Sequence, residues 1–462
     1  MSLWTAEALR AATGGSLAAE TAVAGVSIDT RTLAPGDLFV ALRDARDGHD
    51  FVADALAKGA AAAMVDRDPP GVAPDAPLLR VADTLAGLQA LGGAGRARMA
   101  GKVCAVTGSV GKTGTKEMLR LLLGALGPTH AAVASYNNHW GVPLTLARMP
   151  AESAFAVIEI GMNNPGEIAP LARLAAPQAV AVTAIGEAHI GHLGSLAAVA
   201  EEKGSIAAGL QPGGVAVLPR DSEFFPRLAD MARAAGAGRI IGFGRDAAAD
   251  IRLLEAMVLP DGRTQAVASV LGRVVEVTMP AMGLHHAANA CCALALVAAL
   301  GEDAAGAAPA LATYAPGAGR GAPRAIRVAG GIATLVDESY NAAPPAMRAA
   351  LQTLAHRPLG GPGARRIAVL GDMRELGGFS AALHAGLAPE AGKADLVFCC
   401  GPEMARLFAL LPPEKRGAHA ADSTALAPLV KAALRPGDVV LVKGALGSRM
   451  AVVVRALTES DT

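Results

Sequence analysis

The 462 residues carry 41 Lys plus Arg against 41 Asp plus Glu, a formal net charge of zero, with 52% hydrophobic side chains. That balance argues against nucleic acid or an acidic membrane surface as the main partner, and the hydrophobic content is ample for the cores of about two to four domains. No stretch reaches the roughly 18 uninterrupted apolar residues of a bilayer span. The five cysteines sit in apolar runs without metal-ligand spacing. A chain with buried free thiols, no membrane insertion and no basic leader is expected in the cytoplasm, as a monomer.

In chain order, Met1–Arg10 reads as the start of an amphipathic helix. Short strands at Val26–Arg31 and Pro35–Leu42 alternate with helices, one ending near Lys58-Gly59, while Pro69-Pro70-Gly71 and Pro74–Pro77 are loops. This predicts a small α/β unit over residues 1–85. At its strand ends, Ser27, Thr30, Arg31, Asp47 and His49 either bind a ligand bearing hydroxyls or phosphate, or simply cap turns.

The chemistry concentrates in a second unit, residues 86–313. Val103–Val106 has the length and branching of a buried parallel strand, and Thr107–Gly111 is a loop of small residues. Lys112-Thr113 then opens a leucine-rich helix through Met118–Leu126. Strand, glycine loop, Lys-Thr and helix together cradle a polyphosphate. The loop amides from Gly108, Ser109, Val110 and Gly111 to Gly114 approach the phosphates, Lys112 neutralises them, and the Thr113 hydroxyl ligates Mg²⁺. A full Walker pattern has glycine where this chain has Val106, so the match is to a shortened form. The alternative is a glycine-rich turn that binds nothing.

Further along, Ser135–Pro143, with Asn137 and Asn138, is a polar loop before a short helix. Phe155–Gly161 is a buried strand carrying Glu159 near its C-terminal end, the edge where ligands of open α/β sheets sit. A core glutamate is costly unless paired or metal-bound, which makes Glu159 a candidate Mg²⁺ ligand. Ala179–Ile185 repeats the strand pattern and leads into Gly186–His192, whose histidines are ligands or satisfied loop groups. Glu201-Glu202-Lys203 lies on a helix, where a solvated face is the default. Pro260–Arg263 is a hairpin turn, and Gly283–Asn289 opens an apolar helix to Leu300.

The third unit, 314–462, starts with the Ala/Pro/Gly-rich linker Tyr314–Pro323. Strands at Ala333–Val336, Ile367–Leu370, Leu396–Cys399 and Val439–Val442, with helices between, predict a second doubly wound, Rossmann-like sheet. Polar residues follow the strand ends at Asp337–Asn341, Gly371–Met373 and Lys443-Gly444.

In this order the motifs resemble the Mur ligases, ATP-dependent amide-forming enzymes of cytoplasmic peptidoglycan synthesis. The resemblance covers nearly the whole chain: Ser27–Arg31, Asp47–His49, T-G-S-V-G-K-T, Asn137–Pro143, Glu159, Ala188-His189, Lys203, His285, Asn289 and Gly319-Arg320. In the third unit, D-E-S-Y-N-A-A-P-P-A-M (337–347) and V-L-G-D-M-R-E-L-G (369–377) are similar to the branch that adds D-alanyl-D-alanine. The Asp-Tyr-Ala-His and D-N-P-R stretches of the branch that adds the third stem residue are missing from the sequence. Folylpolyglutamate synthases usually lack a UDP-binding first domain, so Ser27–His49 counts against them.

The resemblance implies a UDP-sugar-binding first domain using Ser27, Thr30, Arg31, Asp47 and His49, a central ATP domain and a third domain that closes over it. Substrates would be UDP-MurNAc-tripeptide, met also by Asn137 and Asn138, and D-alanyl-D-alanine, with ATP and Mg²⁺ as cofactors. Lys112 would hold the β- and γ-phosphates, Thr113 and Glu159 one Mg²⁺, and His189 a second. Lys203 matches a lysine that several members carry as a carbamate. Asn289 would face the adenine and Arg320 the γ-phosphate, while Asp337, Tyr340 and Asn341 would arrive from the third domain. Three departures stand out. His286 replaces an Asn, Glu338 replaces a second Asp, and either Lys443 or Arg449 supplies the family's basic residue.

Overall fold

The computed structural model describes residues 2–459; Met1, the first residue of the expected opening helix, lies outside them. Three sheets organise the chain. The first is all parallel, in the order β1 (Gly25–Ser27), β2 (Asp37–Val40), β3 (Ala62–Val65) and β4 (Leu78–Arg80). The helix Ala6–Thr13, capped by the Thr5 side chain, packs beside it.

The second sheet has nine strands: β5 (Lys102–Thr107), β6 (Thr129–Ala131), β7 (Phe155–Glu159), β8 (Ala179–Val182), β9 (Val215–Pro219), β10 (Arg239–Gly244), β11 (Ile251–Val258), β12 (Thr264–Val270) and β13 (Arg273–Met279). Its order is β13-β12-β11-β10-β9-β8-β5-β7-β6, parallel from β6 across to β11 and antiparallel through the last hairpin. Alternation along β5 explains its central place. Cys104 and Val106 face the helices Lys112–Gly124 and Leu284–Ala299, whereas Val103 and Ala105 face Gly141–Ala147 and Ile168–Ala175. A strand buried on both faces must be apolar throughout, and a parallel one needs helical crossovers. The chain passes from β5 to β6 and β7 on one side, then returns to β8 on the other. That switch opens a crevice at the end of β5.

The third sheet runs β14 (Pro323–Val328), β15 (Gly331–Glu338), β19 (Val439–Lys443), β16 (Arg366–Gly371), β17 (Leu396–Cys400), β18 (Arg416–Ala420), with only β14 antiparallel. β14 and β18 are additions to the expected strands, and β14 begins where the linker was expected to end. All five cysteines are buried and free, and burial pushes the Cys104 thiol up to about 12. Among the described residues, no helix is long and apolar enough to cross a membrane.

The units interlock. Trp4 donates through Nε1 to Ala147 O at 2.9 Å, and the Arg98 guanidinium lies 3.8 Å from the Trp4 ring centroid. The helix Thr84–Arg98 contributes Leu88 and Leu91 to a core shared with the first sheet. At the opposite end, Ile190 leaves the second unit to sit in the core of the third, among Met373 and Leu376. Burying such a side chain contributes about 2 kcal/mol.

Candidate active site

β5 ends at Thr107 and a helix begins at Lys112, so residues 108–111 form the turn between them. Gly108 and Gly111 have φ of +150° and +87°, which disfavours any residue with a Cβ. A Cβ on Gly111 would also lie 2.5 Å from Asn289 Oδ1. No side chain caps this helix, which leaves its first N–H groups free to meet an anion. The turn is braced from behind. Ser109 Oγ donates to Gly186 O and accepts from Gly186 N, both at 2.9 Å, and Thr183 Oγ1 donates to Val110 O at 2.5 Å.

Lys112 Nζ curls back to Gly108 O at 2.7 Å. Glu159 Oε1 accepts from Thr113 Oγ1 at 3.1 Å and from Asn137 Nδ2 at 2.7 Å, while Oε2 is buried without a partner among the described residues. A buried carboxylate oxygen left unpaired is costly, so it marks a place for a cation. Among the described residues, no three His, Cys, Asp or Glu side chains gather into a metal cage. Mg²⁺ needs none, because it keeps waters and phosphate oxygens and takes one or two carboxylates. The orphaned oxygen beside the Thr113 hydroxyl fits that ion.

Ser135 Oγ lies 3.3 Å from Thr113 Oγ1 and accepts from Arg320 Nη2 at 2.9 Å. The Arg320 guanidinium in turn lies 4.3 Å from the Tyr340 ring centroid, so turn, linker and third sheet meet at one point. Together these groups line a cleft of about 510 Å³ that also exposes His189, Asn289 and Asn341.

Burial lowers the pKa of Lys112, with Glu159 opposing and Arg320 reinforcing the shift. Lys203 is 1% exposed, and burial followed by the Lys112 charge holds its amine well below the ordinary lysine value. Burial and His285 likewise keep His286 well below the usual histidine range, its ring centroid 4.0 Å from that of His285. Burial raises the Glu338 carboxyl, but Lys443 Nζ at 2.9 Å, together with His285 and Arg357, leaves it below its ordinary value.

Ser109, Val110, Gly111, Lys112, Thr113 and Gly114 lie on the cleft wall, as do Asn137, Asn138, Glu159, His189, Asn289, Arg320, Tyr340 and Asn341. Asn138 also caps the next helix by accepting from Gly141 N at 2.9 Å. Lys203 is buried outside the lining set, and Asp337 turns back to accept from Ser339 N and Oγ. Of the two basic residues left open, Lys443 lines the cleft and Arg449 is exposed away from it. The first-sheet residues stand apart from the cleft. Ser27 is buried and donates to Asp29 O, and the His49 ring is clasped between Asp47 Oδ1 and Asp66 N. Thr30 is half-buried, and Arg31 is exposed and paired with Asp29. Glu202 is buried instead of solvated, accepting from Gly166 N and Ile168 N at 2.8 and 3.0 Å.

Sequence reading missed Ser135, the Glu338–Lys443 pair and Glu375. Ser135 heads the polar loop that supplied Asn137 and Asn138, so its position was the available signal. Glu375 pairs with His189, Oε2 to Nδ1 at 2.5 Å, and the imidazole holds its carboxyl below the ordinary value against burial.

A phosphate turn at a parallel-sheet switch point, roofed by a second doubly wound sheet, defines a mononucleotide-binding α/β protein of three units. Family models agree along the chain: "Mur ligase family, catalytic domain" over residues 22–91, "Mur ligase middle domain" over 106–297, and "Mur ligase, glutamate ligase domain" over 324–446. The UDP-N-acetylmuramoyl-tripeptide–D-alanyl-D-alanine ligase of Escherichia coli K12 is 37% identical over 95% of this chain and 94% of its own. A crystal structure of MurF from Acinetobacter baumannii superposes with a TM-score of 0.84 at 30% identity, covering 99% of both chains. MurF of Thermotoga maritima, crystallised with ADP, gives 0.77 at 26% identity over 94% of this chain and 96% of that one. The chain belongs to the Mur ligase family.

Proposed function

We propose that this protein joins D-alanyl-D-alanine to UDP-MurNAc-tripeptide, with ATP cleaved to ADP and phosphate, in peptidoglycan synthesis. The observation that carries this reading is near full-length similarity to enzymes named for that reaction, in a chain whose cleft is built around a phosphate turn. A carboxylate oxygen of the tripeptide attacks the γ-phosphorus, the bond to the β-phosphate oxygen breaks, and ADP departs. The amine of D-alanyl-D-alanine then attacks the acyl carbon, phosphate leaves, and the amine loses a proton. Such chemistry demands charge stabilisation and positioning above all.

Lys112 and the amides of the 108–114 turn would hold the β- and γ-phosphates, apart from Ser109 N, which donates to Ala184 O at 2.8 Å. Thr113 and Glu159 would hold Mg²⁺, which when bound neutralises phosphate oxygens and orients them. His189 would serve a second Mg²⁺. Lys203 is a poor ligand as an amine, but its lowered basicity favours the neutral amine that attacks CO₂, and with loss of a proton the resulting carbamate is a carboxylate. Asn289 would read the adenine, and Arg320, Tyr340, Asn341 and Asp337 would act from the linker and third unit. Ser27, Thr30, Arg31, Asp47 and His49, with Asn137 and Asn138, would hold the sugar nucleotide. We place domain borders at residues 85 and 313 and the working enzyme, a monomer, in the cytoplasm.

The test is phosphate release from ATP by the purified protein, using tripeptides ending in meso-diaminopimelate and in lysine. Release should require one of these tripeptides together with D-alanyl-D-alanine. Full-rate release with either substrate alone would overturn the ligase reading.

A further inference from the structure

The helix that follows the phosphate turn, Lys112–Gly124, buries a charge beside its apolar side chains. Lys116 is 0% exposed, in a helix that also buries Met118, Leu119, Leu122 and Leu123. A lysine is almost never fully buried unless it is paired, because taking an ammonium out of water is costly. This one is paired on two sides. Its Nζ donates to Ala132 O at 2.7 Å and meets Glu117 Oε1 at 2.6 Å. Burial raises the Glu117 carboxyl, but Lys116 and Arg120 together bring it below its ordinary value, so Glu117 stays anionic. An apolar residue of similar volume would pack here without that desolvation cost. What the ammonium adds is its reach to Ala132 O.

Ala132 is where the chain leaves the second sheet. β6 is the edge strand, and its last ladder pair is Ala131 opposite Val157. Val133 is 86% exposed and Ala134 is exposed too, so the segment leading to Ser135 gains little from packing. Beyond Ser135, Gly161 N donates to Asn137 O at 2.7 Å and holds the far end of the loop. Ser135 thus lies between two anchors. It is also the residue on which the Arg320 guanidinium rests, with Thr113 Oγ1 3.3 Å away.

We infer that Lys116 is a positioning residue: by holding Ala132 O it fixes Ser135, and through Ser135 it sets where Arg320 of the linker sits beside the phosphate turn. What Arg320 does at a γ-phosphate rests on the ligase reading, but the tie from Lys116 to Ser135 does not. The helix that meets the phosphates with its first turn uses its second turn to place a cation arriving from the linker. Turn and arginine are thereby held in one frame.

The experiment compares Lys116→Met, Ser135→Ala and the double variant in the full-length protein. Methionine keeps the buried stem, and Glu117 keeps Arg120 Nε at 2.8 Å, so the fold is not put at risk. Lys116→Met should lower kcat for phosphate release about 10- to 100-fold, with KM for ATP unchanged because the 108–114 turn is untouched. Ser135→Ala should cost as much, and the double variant no more than either single one, since all three break the same chain of contacts. Hydrogen exchange read by mass spectrometry should quicken over residues 133–136 in Lys116→Met, while residues 115–124 stay as protected as in the wild type. Wild-type turnover in Lys116→Met, additive losses in the double variant, or unchanged exchange over 133–136 would each overturn the inference. So would loss of the fold in Lys116→Met, which would make the lysine a support of the core instead. Failure of the ligase reading would be seen separately, as wild-type phosphate release that needs no second substrate, with the exchange result unaffected.

Discussion

Gly191→Ala isolates docking from everything else the enzyme does. Gly191 lies in the short helix Ile190–Leu193 at an ordinary φ, so within its own unit alanine is the better helix former by about 0.5–1 kcal/mol. Across the boundary, however, the new Cβ would stand 2.7 Å from Glu375 O and Leu376 C, and nearer still to Gly377 N. All three are backbone atoms that no rotamer change can remove. Restoring ordinary spacing parts the units there by about 1 Å. That stretches the 2.9 Å Gly191–Glu375 bond, at about 1 kcal/mol, and shifts the third-unit groups that share the cleft. A displacement of about 1 Å in a reacting constellation costs about 10²-fold in rate, equal to about 2.7 kcal/mol of barrier. The variant should therefore keep its melting temperature within a few degrees and retain nucleotide binding through the 108–114 turn. Its phosphate release in the full reaction should fall about 10²-fold. Turnover within twofold of wild type, at unchanged stability, would refute the claim that this docked geometry is the working one.

Lys112→Ala should lower kcat by about 10²-fold or more, since it deletes a cation aimed at the phosphates; coupled phosphate-release kinetics at saturating ATP would check it. Lys203→Ala should be partly rescued by small carboxylic acids if the working group is a carbamate. The unmodified amine makes a second, pH-dependent prediction. Its folded pKa lies well below 10.5, so between the two values the unfolded chain carries a proton that the folded chain lacks, and stability rises with pH across that window. Urea titrations in CO₂-free buffer should show this slope in the wild type and its loss in Lys203→Met. In the third unit, Asp438 is fully buried and accepts from Arg365 Nη2 at 2.7 Å and from Arg435 N at 2.9 Å. Asp438→Ala leaves that guanidinium with Ala433 O at 2.7 Å and no anion, and should destabilise the protein by about 3 kcal/mol in chemical denaturation.

What could be read from the chain follows from what a local pattern encodes. β5, its turn and the helix from Lys112 were legible because period, glycine and Lys-Thr all agree within fifteen residues of sequence. Glu159 was legible because a charge inside a buried strand is anomalous wherever it occurs. β14 and β18 were missed because each is an edge strand: one residue of β14 and one of β18 are buried, which leaves no apolar alternation to see. Glu202 and Lys203 were assigned to solvent by default because the alanine-rich helix Leu196–Gly204 has no clear apolar stripe to orient it. What turns Glu202 inward is the neighbouring helix start at Ile168, whose N–H groups need an acceptor. Glu338 and Lys443 are 105 residues apart in sequence, and Glu375 owes its place to a backbone turn on another unit. No local pattern carries such pairings.

The charges left unmatched in the cleft say what it is waiting for. Glu338 is met by Lys443, so that carboxylate is already balanced. Lys112 and Arg320, by contrast, rest on neutral oxygens, Gly108 O and Ser135 Oγ, which stabilise a cation far less than an anion does. Beside them Glu159 keeps one oxygen buried and, among the described residues, unpaired. Two cations on neutral acceptors and one carboxylate with a free oxygen are unfavourable separately. A polyphosphate with its divalent ion satisfies all three at once, whereas a phosphate without the ion would push against Glu159 and an ion without phosphate against Lys112. Neither part of the nucleotide–metal pair is accommodated well alone, which is why the turn, Glu159 and the linker arginine have to be read as one device.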